Sequence, residues 1–162
     1  MAFTQTLRRL REKKTNYRRR SAMLMSKREF ITVQISNENI QVQIHKPELL
    51  GDMVIASAHS RFLLDKGWKG SRKSISASYL TGYFAGKKAL SKGVKNAILY
   101  SGTNKYTQRM AAALKGVIDA GLEIPADQET FPTLDRIKGE HLKVKNDIEK
   151  IKSTIDSGVK KQ

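Results

Sequence analysis

EFITVQISNENIQVQIH runs from Glu29 to His45. Ile31, Val33 and Ile35 alternate with Thr32 and Gln34, and Ile40, Val42 and Ile44 alternate with Gln41, Gln43 and His45. Alternation at period two places the apolar side chains on one face of an extended chain, the mark of a strand with one wet face. Ser36-Asn37-Glu38-Asn39 between the runs is turn chemistry. The stretch therefore predicts a β-hairpin.

Outward from the hairpin, Pro47 to Gly51 reads as another turn and DMVIASA (52–58) as a third strand. Gly67 to Arg72 is expected as a loop. A helix should start at Ser74 or Ser76 and run to about Ser91, with Tyr79, Leu80, Tyr83, Phe84 and Leu90 as its apolar stripe. Its small residues Gly82, Ala85, Gly86 and Ala89 would permit close approach to a sheet. Gly93 ends it. NAILY (96–100) is a short buried-type strand, and 107–120 is a second helix closed by Gly121 in a left-handed position. The chain from Leu122 to Pro132 is expected to be extended. The order is βββαβα: three antiparallel strands, then a helix crossing to a fourth strand parallel to one of them. That is an α/β fold with a mixed sheet, in the ribonuclease-H-like order.

On the N-terminal side, Thr15-Asn16 can cap a short helix from Tyr17 to about Met25, in which Tyr17, Ser21 and Leu24 share a face. On the C-terminal side, Ile137, His141, Val144, Ile148, Ile151 and Ile155 form a narrow heptad stripe on a mixed-charge helix. A helix docked on its own domain or a neighbour suits that stripe better than a self-associating coiled coil. The expected units are a basic arm (1–28), a globular α/β domain (29–132) and a helical extension (133–162).

The 162 residues carry 31 Lys+Arg against 15 Asp+Glu, a net charge of +16 and a pI of about 10.2. A charge this far from zero opposes compaction and points to an anionic partner. The imbalance sits in the arm, where residues 1–28 hold 10 cations and one acid, Glu12, while 29–132 hold 13 cations and nine acids. With 39% hydrophobic residues the chain is not disordered as a whole. Cysteine is absent, which removes disulfides, thiolate metal sites and a cysteine nucleophile and fits a reducing compartment. MAFTQTLRRLREKK has no apolar core of a signal peptide, and no apolar run reaches the roughly 18 residues of a membrane span.

Chemistry is not legible. A ribonuclease-H-type nuclease needs sheet carboxylates to hold two metal ions, and neither FITVQIS nor NAILY contains one. His45, His59 and His141 have no ligand-like spacing. Ser57-Ala58-His59-Ser60 reads as local hydrogen bonding where a strand stops. Gly67-Trp68-Lys69-Gly70-Ser71-Arg72-Lys73-Ser74 is a near miss to a nucleotide-phosphate loop, with Arg72 where glycine should precede the lysine. As a basic Gly/Ser loop it could still touch RNA phosphates.

Charge remains. Between Arg8 and Arg20 arginine outnumbers lysine, and its planar fork suits phosphate and base contacts. Tyr17 stands among the arginines, where an aromatic face can stack on an unpaired base or pack beneath the short helix. The candidate RNA-binding residues are Arg8, Arg9, Arg11, Lys13, Lys14, Thr15, Asn16, Tyr17, Arg18, Arg19, Arg20, Lys27 and Arg28 of the arm, with Lys69, Arg72 and Lys73 of the loop.

RRLREKKTNYRRR (8–20), IASAHS (55–60), SASYLTGYFAGKKAL (76–90), GVIDAGLEIP (116–125) and RIKGEHL (136–142) together resemble a family. It is the 5S rRNA-binding ribosomal protein of the large subunit, the L-eighteen family, in its archaeal/eukaryotic form. The chain departs from the family's frequent Gly-Lys at Lys13-Lys14, which bears on the bend entering the helix. It has Asn16 where the family has Asp, and Asn caps equally well. The resemblance implies a ribonuclease-H-like domain without catalytic acids and a structural, non-enzymatic role in the cytoplasmic ribosome. It implies binding to 5S rRNA, seated in the central protuberance beside 23S rRNA and the L-five ribosomal protein, with no cofactor, metal, membrane or small-molecule substrate. The arm would stay unfolded or half-folded until RNA neutralises it. The rival readings are a basic nucleic-acid- or membrane-binding adaptor of the same fold outside the ribosome, and an enzyme.

Overall fold

A computed structural model describes residues 7–48, 51–140 and 147–159. Its helices are α1 (Arg8–Arg11), α2 (Tyr17–Leu24), α3 (Phe62–Asp65), α4 (Ile75–Ser91), α5 (Gln108–Ala120), α6 (Leu134–Lys138) and α7 (Ile148–Val159). The strands are β1 (Glu29–Ile35), β2 (Ile40–Lys46), β3 (Met53–His59) and β4 (Ala97–Leu99). They form one mixed sheet in the order β3-β2-β1-β4, with β4 parallel to β1 and the other pairs antiparallel. This is the α/β architecture expected from the βββαβα order.

The period-two pattern fixes which side is dry. Ile31 lies opposite Ile44, Val33 opposite Val42 and Ile35 opposite Ile40, so the apolar residues pair across the hairpin on one face. Ile31, Val33, Ile40, Val42 and Ile44 are buried beneath α4 and α5 together with Ala85, Ala89, Met110, Leu114 and Val117. In the turn, the Ser36 hydroxyl both donates to the Asn39 carbonyl and accepts from its amide, each at 3.0 Å. The His59 ring Nδ1 accepts from the Arg61 amide at 3.2 Å, the local hydrogen bonding the sequence suggested, and the buried Ser60 hydroxyl also accepts from the Ile40 amide of β2 at 3.0 Å.

The helix ends follow their capping residues. The Ser74 side chain accepts from the Ala77 amide, and Thr107 accepts from Met110. Gly121 closes α5 with φ 115°. The small residues of α4 divide between two jobs. Ala85 and Ala89 meet the sheet, but Gly82 and Gly86 face α5: a Cβ on Gly82 would lie 2.0 Å from the Ala113 carbonyl oxygen, and one on Gly116 would lie 2.1 Å from the Tyr79 carbonyl oxygen. The expected close approach is thus to a helix as well as to the sheet.

Other expectations are corrected. The four-residue helix α3 lies in a stretch assigned no element. β1 begins at Glu29 and so carries one carboxylate at its first position. The segment after Leu122 is not wholly extended, since Asp127 caps a short 3-10 turn at Gln128–Thr130. The tail is not one helix, because Gly139 (φ 73°) stops α6. Ile137 of α6 and Ile148, Ile151 and Ile155 of α7 nevertheless bury in one cluster with Tyr79, Leu80 and Tyr83 of α4, so the tail docks on its own domain. His141, Leu142 and Val144, and Leu49 and Leu50 of the expected turn, lie outside the described residues.

Polar groups lock that docking. The Tyr83 hydroxyl donates to the Asp156 carboxylate of α7 at 2.9 Å, and the Lys152 ammonium of α7 lies 4.6 Å from the Tyr79 ring centre, while the Tyr79 hydroxyl donates to Asp119 of α5 at 2.7 Å and ties α4 to α5. Burial and these carboxylate contacts push both phenol pKa values up.

Candidate nucleic-acid interface

The arm forms two short helices joined by a sharp bend. Lys13 makes the bend in the left-handed region, at φ 51°. Thr15 is buried, and its hydroxyl accepts from Arg9 Nε at 2.8 Å. Asn16 caps α2 as its type predicts, its side chain accepting from the Arg19 amide at 3.0 Å. No residue of α2 is buried, and Ser21 and Leu24 are exposed, so half-buried Tyr17 does not pack beneath α2 on those two.

The arm cations separate into two groups. Arg8 and Lys14 both bind Glu12, at 2.8 and 2.6 Å, and these hydrogen bonds, Lys14 first, hold the Glu12 carboxyl below its ordinary range. Arg9 is engaged by Thr15. Arg20 turns inward, pairs with Asp52 at 2.5 Å and lies 5.8 and 5.7 Å from the ring centres of Phe30 and Tyr100, which stack on each other. The Asp52 hydrogen bond raises the Arg20 pKa further. Arg20 is thus the pin that fastens the arm to the sheet. Arg11, Lys13, Arg18, Arg19, Lys27 and Arg28 are exposed, and their side chains have no partner among the described residues.

The second candidate patch is elsewhere. The loop carrying Lys69, Arg72 and Lys73 is fixed by buried Trp68, whose indole N–H donates to the Ser71 carbonyl at 3.4 Å. Arg72 pairs with Glu38 of the hairpin turn at 2.8 Å. The loop therefore sits at the turn end of β1, whereas the arm joins its first residue. Seven residues of strand separate them, roughly 20 Å at the usual rise. The wet sheet face between carries Thr32, Gln34, Gln41 and Gln43. The structure does not gather the candidates into one patch; it sets two basic patches at opposite ends of β1.

Asp52, Phe30 and Tyr100, which position the arm, carry no sequence signal toward Arg20, since their relation is purely tertiary. Among the described residues no group of three His, Asp or Glu side chains could hold a metal ion, and no helix is long and apolar enough to cross a membrane.

Comparison with known proteins gives a consistent result. The model of the family described as ribosomal large subunit proteins 60S L5 and 50S L18 matches residues 1–111. The chain is 49% identical over 139 residues to large ribosomal subunit protein uL18 of Aeropyrum pernix, covering 84% of this chain and 65% of that protein. It is 44% identical over 138 residues to the uL18 protein of Thermofilum pendens, covering 84% of this chain and 70% of that one. It is 39% identical over 137 residues to that of Methanothermobacter thermautotrophicus, covering 83% and 71%.

Proposed function

Since the chain belongs to the family of ribosomal large subunit proteins 60S L5 and 50S L18, we infer that it is a structural, non-enzymatic constituent of the large subunit of the cytoplasmic ribosome. It binds 5S rRNA and helps anchor it to 23S rRNA in the central protuberance, beside the L-five ribosomal protein. The observation that carries the RNA reading is the sorting of the arm cations. Arg11, Lys13, Arg18, Arg19, Lys27 and Arg28 project without partners among the described residues from an arm that Arg20 pins to the domain. An ordinary solvated face would be expected to intersperse its cations with acids; this one holds a single acid, Glu12, already shared by two cations. The free cations supply phosphate contacts, and Tyr17 offers a half-exposed ring for an unstacked base. Arg72 and Lys73 add a second phosphate contact at the far end of β1.

The test is a filter-binding titration of the full chain against 5S rRNA, with tRNA and a 23S rRNA fragment as competitors. The expected result is preference for 5S rRNA over tRNA by at least about a thousandfold at equal salt, the low end of the usual ratio of specific to non-specific binding. Equal affinity for both would refute a 5S-specific role and leave only a general polyanion binder.

A further inference from the structure

Arg28, Asn96 and Glu123 converge on one pocket, and none of the three side chains has a partner among the described residues. The parallel register puts Glu29 of β1 opposite Ala97 of β4, so Arg28 and Asn96 stand side by side just before the two strands. Asn96 is bridged in turn to Glu123. That bridge is made by backbone alone: the Ala97 amide donates to the Glu123 carbonyl and the Glu123 amide to the Lys95 carbonyl, each at 3.0 Å. The row faces a pocket of about 450 Å³ whose other walls are Ile118, Leu122, Ile124 and Pro125.

Apolar walls with a cation, an amide and a carboxylate fit a flat ring with a polar edge. A free phosphate or carboxylate would meet the Glu123 charge, and a purely apolar guest would leave all three polar groups unpaired. Arg28, the last residue of the arm, brings a cation to the pocket wall. Resting on the RNA-binding reading above, we propose that this pocket takes one unpaired guanine of the bound RNA. An ionised carboxylate only accepts, through two oxygens. Guanine alone among the four bases presents two adjacent N–H donors, N1–H and the 2-amino group, along one edge to match them. Arg28 covers the ring face or holds the adjoining phosphate, and Asn96 meets the remaining edge.

The test titrates the full chain with guanosine, inosine and adenosine 5′-monophosphates and follows the backbone amides of Ala97, Ile118 and Glu123 by NMR. Guanosine monophosphate is expected to shift these amides. Inosine monophosphate, which lacks the 2-amino group, should bind about tenfold more weakly, the usual effect of losing one hydrogen bond to a charged group. Glu123→Gln should erase that difference without moving the melting temperature, because the bridge is backbone. Equal shifts from all three nucleotides, shifts confined to the arm, or undiminished selectivity in Glu123→Gln would each overturn the proposal. A parallel titration with 5S rRNA separates the two readings. Tight 5S rRNA binding with silent pocket amides overturns the guanine site alone. A guanine-selective pocket without 5S rRNA binding overturns the ribosomal reading and keeps the site.

Discussion

Replacing Arg18 and Arg19 together by alanine should make the salt slope of RNA binding shallower without touching the fold, and Arg20→Ala should destabilise the fold without changing that slope. Among the described residues six arm cations are without partners: Arg11, Lys13, Arg18, Arg19, Lys27 and Arg28. If each neutralises one phosphate, each contributes about −0.7 to −0.9 to the slope of log K against log salt, so the arm contributes about −4 to −5.5. Between 50 and 200 mM salt that slope lowers affinity by roughly 300- to 2,000-fold. The double variant should make the slope less negative by about 1.4 to 1.8. Its melting temperature should hold, because the α2 cap uses the Arg19 backbone amide and not its side chain. Arg20 differs. Its side chain is 23% exposed and its partner Asp52 26%, and it also contacts two stacked rings. Losing the ion pair and ring contacts should cost about 1–2 kcal/mol, a fall of about 2–8 °C for a chain of this size. The assays are filter binding to 5S rRNA at four salt concentrations and thermal melting by circular dichroism. An unchanged slope in the double variant, or a full unit of slope lost in Arg20→Ala with no change in melting, would refute the division of labour.

Gly82→Ala should destabilise by about 1–3 kcal/mol through overpacking, despite alanine's better helix propensity, because its Cβ would lie 2.0 Å from a backbone oxygen. Gly158→Ala, in the same kind of helix with nothing within 4 Å, should be neutral or stabilising by up to about 1 kcal/mol, and equal urea midpoints would contradict the tight α4–α5 crossing. Burial lowers the His45 pKa, with Asp52 opposing and Arg20 assisting, and its Nδ1 is buried without a partner. The unfolded chain therefore takes up a proton near about pH 6.5 while the folded one resists, so stability should fall as pH drops from about 7 toward 5, and His45→Gln should flatten that fall. Ile151→Ala should lower the urea midpoint by the equivalent of about 2–3 kcal/mol, since Ile151 is 6% exposed against α4; no change would mean that α7 is undocked in solution. Lys13→Gly should raise the melting temperature slightly by relieving a left-handed lysine, yet make the salt slope less negative by about one contact.

Local rules made much of the sheet and helix framework legible. The hairpin shows in the sequence because Ile31 to Ile44 alternate without interruption, and its register follows once those isoleucines must share a face. Helices α4 and α5 show because Ser74, Thr107 and Gly121 are strong boundary residues. Helix α3 does not show, since Phe62-Leu63-Leu64-Asp65 is too short to reveal a period. Gly82 announces a close approach but not its object, which is the backbone of Ala113 on α5. Of the tail stripe, Ile137, Ile148, Ile151 and Ile155 are buried as expected, but not on one helix, because Ile137 and Ile148 reach one cluster from two helices with Gly139 between. Within the arm the cations look alike in sequence. What distinguishes Arg20 is Asp52, 32 residues downstream, together with Phe30 and Tyr100.

Backbone strain adds a last step. Among the described residues only Lys13 and Lys27 hold positive φ without being glycine, at 51° and 53°. They flank α2, one before it and one after it. A side chain in that region costs on the order of 1 kcal/mol that glycine would avoid. A merely solvated arm has no reason to hold lysine at both bends, whereas an arm that must present charge there does. The same bends, with the Thr15 contact and the Arg20–Asp52 pin, would set the arm in shape before RNA arrives, against the expectation that it stays unfolded or half-folded until RNA neutralises it. Preorganisation lowers the ordering entropy lost on binding. The two lysines thus exchange a little folding stability for charge at fixed positions, and the arm should bind RNA as a shaped clamp.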